Sequence, residues 1–363
     1  MIIKSIELEN YRNYDKAYIE FDENTNIFFG DNAQGKTNIL ESVFISGTTK
    51  SHKGSRDNEI VMFGNQDAYI RACFSKNEVD YKVNMQLRAS RKKSISVNGE
   101  NLKKAGQLFG LINIVFFSPE DLSIIKSGPS ERRRFMDLEL CQLDKAYLYN
   151  LTNYNKIVNQ RNKLLKSMDK NYALKDTIDV WDEQLEAYGT EIIKRRKKFT
   201  DELNPVIDDI HKKLTGKTDP LRIIYDCDSN EDNYSERIKS SKEKDLRYKT
   251  TSIGPHRDDL KFTINDVDVR KFGSQGQQRT VALSLKLSEI ELVKQSVNDT
   301  PILLLDDVLS ELDSNRQNYL LSSIKDIQTL ITCTGLDDLI KNRFTINKCF
   351  KVNDGNIDVY RKA

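Results

Sequence analysis

The sequence predicts an α/β fold interrupted by a short antiparallel helical arm, and three observations carry that prediction. Alternating apolar residues mark strands in the first third of the chain and strand texture returns late; a Gly-rich turn joins one early strand to a helix; and a glycine-poor helical stretch separates the two strand-bearing regions. The 363 residues are enough for two or three domain-sized units with a buried core. Residues 1–130 read as one part of a head, 131–216 as the arm and 217–363 as the rest of the head.

In the first part, "IIKSIELEN", "YIRACFS" and "YKVNMQLRA" alternate as half-buried strands do, and "SISVNGENL" reads as a hairpin turning at Asn98-Gly99. Among them lies "NIFFGDNAQGKTNILESV". A short strand, Asn26 to Phe29, runs into Gly30, Asp31, Asn32, Ala33, Gln34, Gly35, Lys36 and Thr37, and an amphipathic segment with Ile39, Leu40, Val43 and Phe44 follows at once. This is the order of a phosphate-binding P-loop. Glycines let the backbone turn tightly, successive N–H groups point inward, and the helix N-terminus favours negative charge. Lys36 then reaches the terminal phosphates, and the Thr37 hydroxyl ligates Mg²⁺. The plainer alternative is a glycine-containing turn with no ligand.

After Pro129 the texture becomes helical, with no further proline until Pro205. From Asp144 to Lys166, Leu148, Leu151, Val158 and Leu165 mark a seam interrupted by Asn155 and Asn162. In the second run Ile178, Trp181, Leu185, Tyr188, Ile192 and Phe199 follow steps of three and four, with Arg195 at the remaining position. A polar break, "KSMDKNYALKD", separates them, so the two seams can bury each other as an antiparallel pair. Each run is too short for a long hinged coiled coil. "YDCDSNEDNYSERIKSSKEKD" reads as a mobile surface segment.

Beyond Lys271 the chain reads helix, apolar strand, helix, strand. "PILLLDDVL" is a buried parallel strand ending in two acids, of which Asp306 is placed to hold Mg²⁺ and Asp307 to polarise an attacking water. In "KFGSQGQQRTVALSLKL", Ser274, Gly276 and Gln277 stand at the start of a long helix, either as a second anion site or as an ordinary helix cap.

Composition narrows the class. Fifty-seven Lys+Arg against 55 Asp+Glu leave a net charge of +2, so contacts to nucleic acid must come from local clusters. The cysteines, Cys73, Cys141, Cys227, Cys333 and Cys349, are odd in number and lack metal-ligand spacing, which fits a reduced interior. His52, His211 and His256 are dispersed and read as structural. The N-terminus is charged too early for a signal peptide, and no apolar run approaches the ~18 residues of a membrane span. A cytoplasmic protein follows, with no membrane partner.

Taken together, "IELENYRNY", "GDNAQGKT", "SQGQQR", "ILLLDD" and "SELD" occur in the order found in ABC-type, SMC-like DNA-maintenance ATPases, which this chain resembles from Ile2 to about Thr334. "FFSPEDLSIIKSGPSERRRFMD", "GPHRDDL" and the short arm look specifically like the RecF family. The resemblance implies an ABC-type P-loop ATPase head that uses ATP and Mg²⁺. It implies that Arg12 and Asn13 make nucleotide-side contacts, and that Ser274, Gly276 and Gln277 face the γ-phosphate of ATP held by a second copy. Asp313 falls at the D-loop position, near the seam of such a dimer.

Three departures from the ABC pattern are consistent with slow turnover. Asp307 stands where many such ATPases carry Glu, Thr332 or Thr334 replaces the switch His, and Glu120 or Asp121 occupies the place of the Q-loop glutamine.

The implied function is a slow, DNA-dependent ATPase of replication and recombinational repair, working at the nucleoid. As an ATP-induced homodimer it binds gapped DNA and single-strand/duplex junctions, and it helps load recombinase through mediators of the RecR/RecO type. Candidate phosphate contacts are Lys50, Lys53 and Arg56; Arg91, Lys92 and Lys93; Arg132 to Arg134; and Lys194 to Lys198, each of which is also readable as a solvated face. "ERRRFMD" can equally tie the arm to its surroundings. A structural DNA-bridging protein and a P-loop phosphotransferase remain the alternatives.

Overall fold

A computed structural model describes residues 1–167, 177–335 and 346–360. In chain order the elements are β1 (Ile2–Tyr11), β2 (Tyr14–Glu20), β3 (Thr25–Phe29), α1 (Lys36–Thr48), α2 (Asp57–Ile60), β4 (Asp67–Lys76), β5 (Val79–Arg88), β6 (Ser94–Val97), β7 (Glu100–Asn101) and β8 (Ile114–Phe117). Then come α3 (Leu122–Lys126), α4 (Pro129–Leu143), α5 (Lys145–Ser167), α6 (Ile178–Thr215), β9 (Leu221–Asp226), α7 (Tyr234–Tyr248), β10 (Asp259–Ile264), β11 (Val267–Asp268) and α8 (Val269–Phe272). The chain closes with α9 (Gln275–Val297), β12 (Ile302–Asp306), α10 (Ser314–Ser323), β13 (Thr329–Cys333), β14 (Lys348–Asn353) and β15 (Asn356–Val359). Two compact units result, one of residues 1–121 and 289 onward, the other Leu122–Ser288.

The first unit holds two sheets. One is antiparallel, in the order β2-β1-β4-β5-β6-β7, and its longer strands alternate between buried and more exposed residues as half-covered strands should. The Asn98-Gly99 turn forms as expected, with both residues at positive φ and Val97 opposite Glu100. The other sheet runs β15-β14-β3-β13-β12-β8, parallel except at β15. Its β12, β13 and β8 are buried throughout, which is why they read as uninterrupted apolar runs. α1 packs on strands of both sheets, and its interior Ser42, Ser46 and Thr48 hydroxyls donate to backbone carbonyls of the same helix. A Cβ on Gly47 would lie 2.5 Å from the Ile114 side-chain tip, so α1 approaches β8 closely at this glycine.

The second unit is built on α5 and α6. Arg161, late in α5, pairs with Asp182 early in α6, while Tyr147 at the start of α5 meets Arg196 farther along α6, so the pair is antiparallel. The polar break between them, 166–176, lies largely outside the described residues. The buried seam differs from the expected one. On α6 it runs Ile178, Asp182, Leu185, Gly189, Ile192, Arg196, Phe199 and Leu203, leaving Trp181, Tyr188 and Arg195 on its flanks. On α5 it comprises Tyr147, Tyr154, Ile157, Val158, Arg161 and Leu165, with Leu148 and Leu151 only partly covered. Apolarity misleads here because the partners are polar. Arg161 bonds Asp182 at 2.6 Å and Asp245 at 2.7 Å; Arg196 bonds Asp137, Tyr147 and the Pro255 carbonyl. Buried charges persist when they are paired in this way.

One further expectation is corrected. "YDCDSNEDNYSERIKSSKEKD" is not a mobile segment: α7 forms within it and buries Tyr234, Ile238, Ser241 and Asp245. Its polarity serves the ion pair to Arg161. Pro205 does not end the helix, since α6 continues to Thr215 over 38 residues, roughly 57 Å. Proline deprives the Asp201 carbonyl of its helical donor, but Asp201 is exposed to water. Beside it, the Asn204 amide exchanges two hydrogen bonds with Ile223 of β9, at 2.8 and 2.9 Å.

His256 sits in this interior between the Tyr154 hydroxyl, 2.8 Å from Nδ1, and the Thr251 carbonyl, 3.1 Å from Nε2. A neutral ring, donating from Nε2 and accepting at Nδ1, satisfies both. Burial lowers its pKa from 6.5 to about 4. A depressed folded pKa gives stability that is fully present above the unfolded value and lost as pH falls toward the folded one. Urea unfolding should therefore show a loss of about 3 kcal/mol from this group between roughly pH 6.5 and 4, absent in His256→Asn. An unchanged slope in the variant would contradict the assignment.

Candidate functional site

The P-loop is shaped by contacts on several sides. Gly30 has φ +152° and a Cβ there would overlap the Val352 carbonyl; Gly35 has φ +109° and a Cβ would strike the Asn13 side chain. Only glycine fits either place. Gln34 is held by the β14–β15 turn, its side-chain oxygen accepting from Asp354 N at 2.6 Å, and its carbonyl accepts from the Asn13 amide at 3.1 Å. Tyr14 donates to the Gly35 carbonyl at 3.0 Å. No side chain caps α1, so its N-terminal N–H groups face the loop, which is the arrangement that binds an anion. Lys36 is buried, its ammonium donating to the carbonyls of Gly30 (2.7 Å) and Asp31 (2.6 Å).

Thr37 and Asp306 meet directly. The Thr37 hydroxyl donates to Asp306 Oδ1 at 2.8 Å, and the Thr332 hydroxyl donates to the same oxygen at 2.7 Å. Thr332 Oγ1 also accepts from Asp307 N at 3.0 Å. Sheet order explains the triad, because β13, which carries Thr332, lies between β3 and β12. Thr332, and not Thr334, is thus the residue that positions the β12 acids. Asp307 takes φ +52°, and its carboxylate accepts from Ser310 at 3.2 Å.

Of the two residues expected beside the nucleotide, Asn13 touches the P-loop and accepts from the Asn38 amide at 2.8 Å. Arg12 turns its guanidinium to Glu41 through two bonds of 2.9 Å, and to Ser55 and the Glu59 carbonyl. Burial works to raise the Glu41 carboxyl, but hydrogen bonds from Arg12 and Ser51 outweigh it and hold the group below its ordinary pKa. Arg12 thereby fastens α1 to residues 51–59. A hollow of about 560 Å³ opens beside it, lined by Arg12, Asn13, Asn38, Asn58, Met62 and Phe63 among others.

Ser274, Gly276 and Gln277 belong to the second unit. Ser274 Oγ accepts from Gln277 N at 3.2 Å and Gln277 Oε1 accepts from Ser274 N at 2.9 Å, a reciprocal capping box, and all three residues are exposed. Asp313 caps α10 by accepting from the N–H groups of Asn315 and Arg316. Asp121 accepts from Ser118 N at 2.7 Å, while Glu120 is exposed. Sequence reasoning missed Glu41, Ser310 and the Asp354-Gly355 turn; the first two are ordinary helix and loop residues in sequence, and the third depends on a remote hairpin.

Two basic clusters are engaged in part within the second unit, Arg134, Lys194, Lys197 and Lys198 remaining exposed. Arg132 forms a two-pronged pair with Asp259, Arg133 donates to the Asp258 carbonyl and Arg134 faces Glu131. Arg196 is buried, and Arg195, Lys197 and Lys198 pair with Asp144, Glu231 and Glu202.

The family described as RecF/RecN/SMC N terminal domain matches residues 2–357. The DNA replication and repair protein RecF of Lachnospira eligens is 58% identical over 359 residues, spanning 98% of this chain and 99% of that protein. The chain belongs to the RecF family. A solved structure of the recombination mediator protein RecF with ATP, of the RecFOR pathway, is 37% identical with a TM-score of 0.93, over 99% of this chain and 97% of that one. An Smc head domain with an extended coiled coil, derived from Pyrococcus furiosus, shares the fold at a TM-score of 0.57 and 17% identity, over 99% of this chain and 95% of that one. The first unit's P-loop and sheets are accordingly those of an ABC-type, ATP-binding head. The described residues contain no helix long and apolar enough to cross a membrane.

Lys36→Ala removes the cation nearest the loop, so ATP affinity in an equilibrium titration should fall at least about tenfold. Unchanged affinity would remove Lys36 from the site.

Proposed function

We propose that this chain is a slow, DNA-dependent ATPase whose ATP-bound homodimer engages gapped DNA and single-strand/duplex junctions and helps load recombinase through mediators of the RecR/RecO type. It works in the cytoplasm at the nucleoid, with 131–216 as an arm between head parts 1–130 and 217–363. The observation that carries the reading is the meeting of the Thr37 hydroxyl with Asp306 at the uncapped N-terminus of α1. Two hard oxygen donors 2.8 Å apart beside a phosphate cradle fit Mg²⁺, which takes one or two protein oxygens and fills its shell from phosphate and water. Thr37 and Asp306 would hold the ion, which when bound neutralises phosphate charge. The Gly30–Thr37 backbone and Lys36 cradle the phosphates, Asn13 braces the loop, and Arg12 holds its helix. The hollow beside Asn13 and Phe63 has room for a nucleoside. Asp307 orients the attacking water.

The exposed Ser274, Gly276 and Gln277 cap supports a second role for that helix end: it closes over the γ-phosphate of ATP held by another copy. A ligand bound only by the closed dimer stabilises it by mass action, so hydrolysis releases it. Asp307, shorter than Glu and already held by Ser310, favours as a second reading a DNA-bridging protein in which ATP is mainly a dimerisation ligand.

Phosphate release from ATP, measured with no DNA, with duplex and with gapped DNA, separates the readings. Gapped DNA should stimulate release, and Asp307→Asn should keep ATP binding while losing that release, because an amide cannot polarise water. DNA bridging with no release would support the structural reading, and release indifferent to DNA would contradict both.

A further inference from the structure

Two of the four basic clusters legible in the sequence lie in the second unit, where Arg132, Arg133, Arg195 and Arg196 are engaged internally, Arg134, Lys197 and Lys198 are exposed but each faces an acid, and Lys194 is exposed. The other two lie in the first unit. Lys93 donates to the Thr49 carbonyl at 2.5 Å and to Asp57 at 2.9 Å, which pins the 89–93 loop against the 49–57 segment. The β6–β7 pairing continues past its last ladder pair, with Leu102 N donating to the Ile95 carbonyl at 2.8 Å, and so carries Lys103 and Lys104 alongside Ser94 and Lys93. Three segments far apart in sequence thereby bring Lys50, Lys53, Arg56, Arg91, Lys92, Lys103 and Lys104 to one end of the antiparallel sheet.

Little there offsets the charge. Asp57 is taken by Lys93, Glu59 caps the Arg56 N–H, and Glu41 faces inward to Arg12 and Ser51. Glu120 stands 3.9 Å from Lys53, and Glu100 is exposed on the hairpin. Lys50, Arg91, Lys92, Lys103 and Lys104 are exposed and make no ion pair with any described residue. Cations gathered from separate segments repel one another, and an anion on this face relieves that repulsion. The 49–57, 89–93 and 103–104 segments present no exposed aromatic ring, and His52 is instead stacked on Phe116 at 3.8 Å. Single-stranded bases need such rings to stack on, whereas a duplex backbone needs only spaced cations.

We infer that this three-segment basic face of the first unit is the surface that binds the phosphate backbone of duplex DNA. The inference rests on the DNA-binding function proposed above and assigns it to one place. The 49–57 segment is tied to the P-loop helix itself, since Glu41 of α1 holds Ser51 directly and Ser55 through Arg12.

The test compares, in the full-length protein with ATP, a variant with Arg91, Lys92, Lys103 and Lys104 all changed to Gln and a variant with Lys194, Lys197 and Lys198 changed to Gln. Affinity for a fluorescent gapped duplex is followed from about 50 to 200 mM salt. The first variant should bind at least about tenfold more weakly, and its slope of log affinity against log salt should be shallower by about 2 to 4, close to one per lost phosphate contact. The second should match the wild type, as should a charge-preserving version of the first (Arg91→Lys, Lys92→Arg, Lys103→Arg, Lys104→Arg). ATP affinity of every variant should equal that of the wild type. Wild-type binding with an unchanged first variant overturns this surface alone and leaves the proposed function standing. Loss in the charge-preserving variant overturns it as well, because the contacts would then not be electrostatic. A wild type that binds no DNA with ATP overturns the DNA-binding reading and this surface together. Preference for single-stranded over duplex DNA through these residues overturns the choice of duplex.

Discussion

A single carboxylate oxygen organises the first unit. Asp306 Oδ1 accepts from Thr37, which begins the P-loop helix, and from Thr332 on the strand between, joining residues 269 positions apart in the chain. The parallel order β3-β13-β12 exists to make that meeting possible, with the strand tips of three separate segments arriving side by side. Thr332 also accepts the Asp307 N–H, so one hydroxyl fixes both acids of the strand end. A carboxylate this well supplied with donors is held in one orientation beside the P-loop helix, as the proposed Mg²⁺ site requires.

The second unit follows a different constraint, the pairing of buried charge. Arg132, Arg161 and Arg196 are almost wholly inaccessible, and each is matched to acids contributed by other elements. Replacing such pairs with apolar groups need not cost stability, but removing one partner leaves a charge stranded. The "GPHRDDL" segment supplies several of these partners through Pro255, Asp258 and Asp259, and its His256 bonds Tyr154. Its glycine belongs to the same packing, since a Cβ on Gly254 would strike the Tyr154 and Tyr234 hydroxyls. The proposed DNA surface rests on a difference of degree, because the exposed Arg134, Lys197 and Lys198 of the second unit each face an acid while Lys50, Arg91, Lys92, Lys103 and Lys104 of the first do not.

Much of the first unit is legible in sequence because its signals are local. The P-loop announces itself by strand, glycines, lysine and helix in succession, and β12 by an apolar run closed by two acids. The helical pair is legible in kind but not in register. Trp181 and Tyr188 look like core and lie at the edge, while Asp182 and Arg196 look like surface and lie inside, because the residues that neutralise them come from α4, α5 and the segment just before β10. No periodicity within one helix carries that information. The same holds for α7, whose polar sequence hides an interior acid, and for the basic face, which gains Lys103 and Lys104 only once Lys93 and Leu102 have closed their contacts.

In the proposed dimer ATP is enclosed by two copies, with Lys36 from one and the Ser274 cap from the other. Lys36→Ala and Ser274→Arg, each inactive alone, can be mixed with ATP and gapped DNA and phosphate release followed. In mixed dimers both lesions fall in one site and the other is intact, so roughly a quarter of wild-type activity should return with random pairing and independent sites. No recovery from a mixture in which mixed dimers demonstrably form would contradict the shared site.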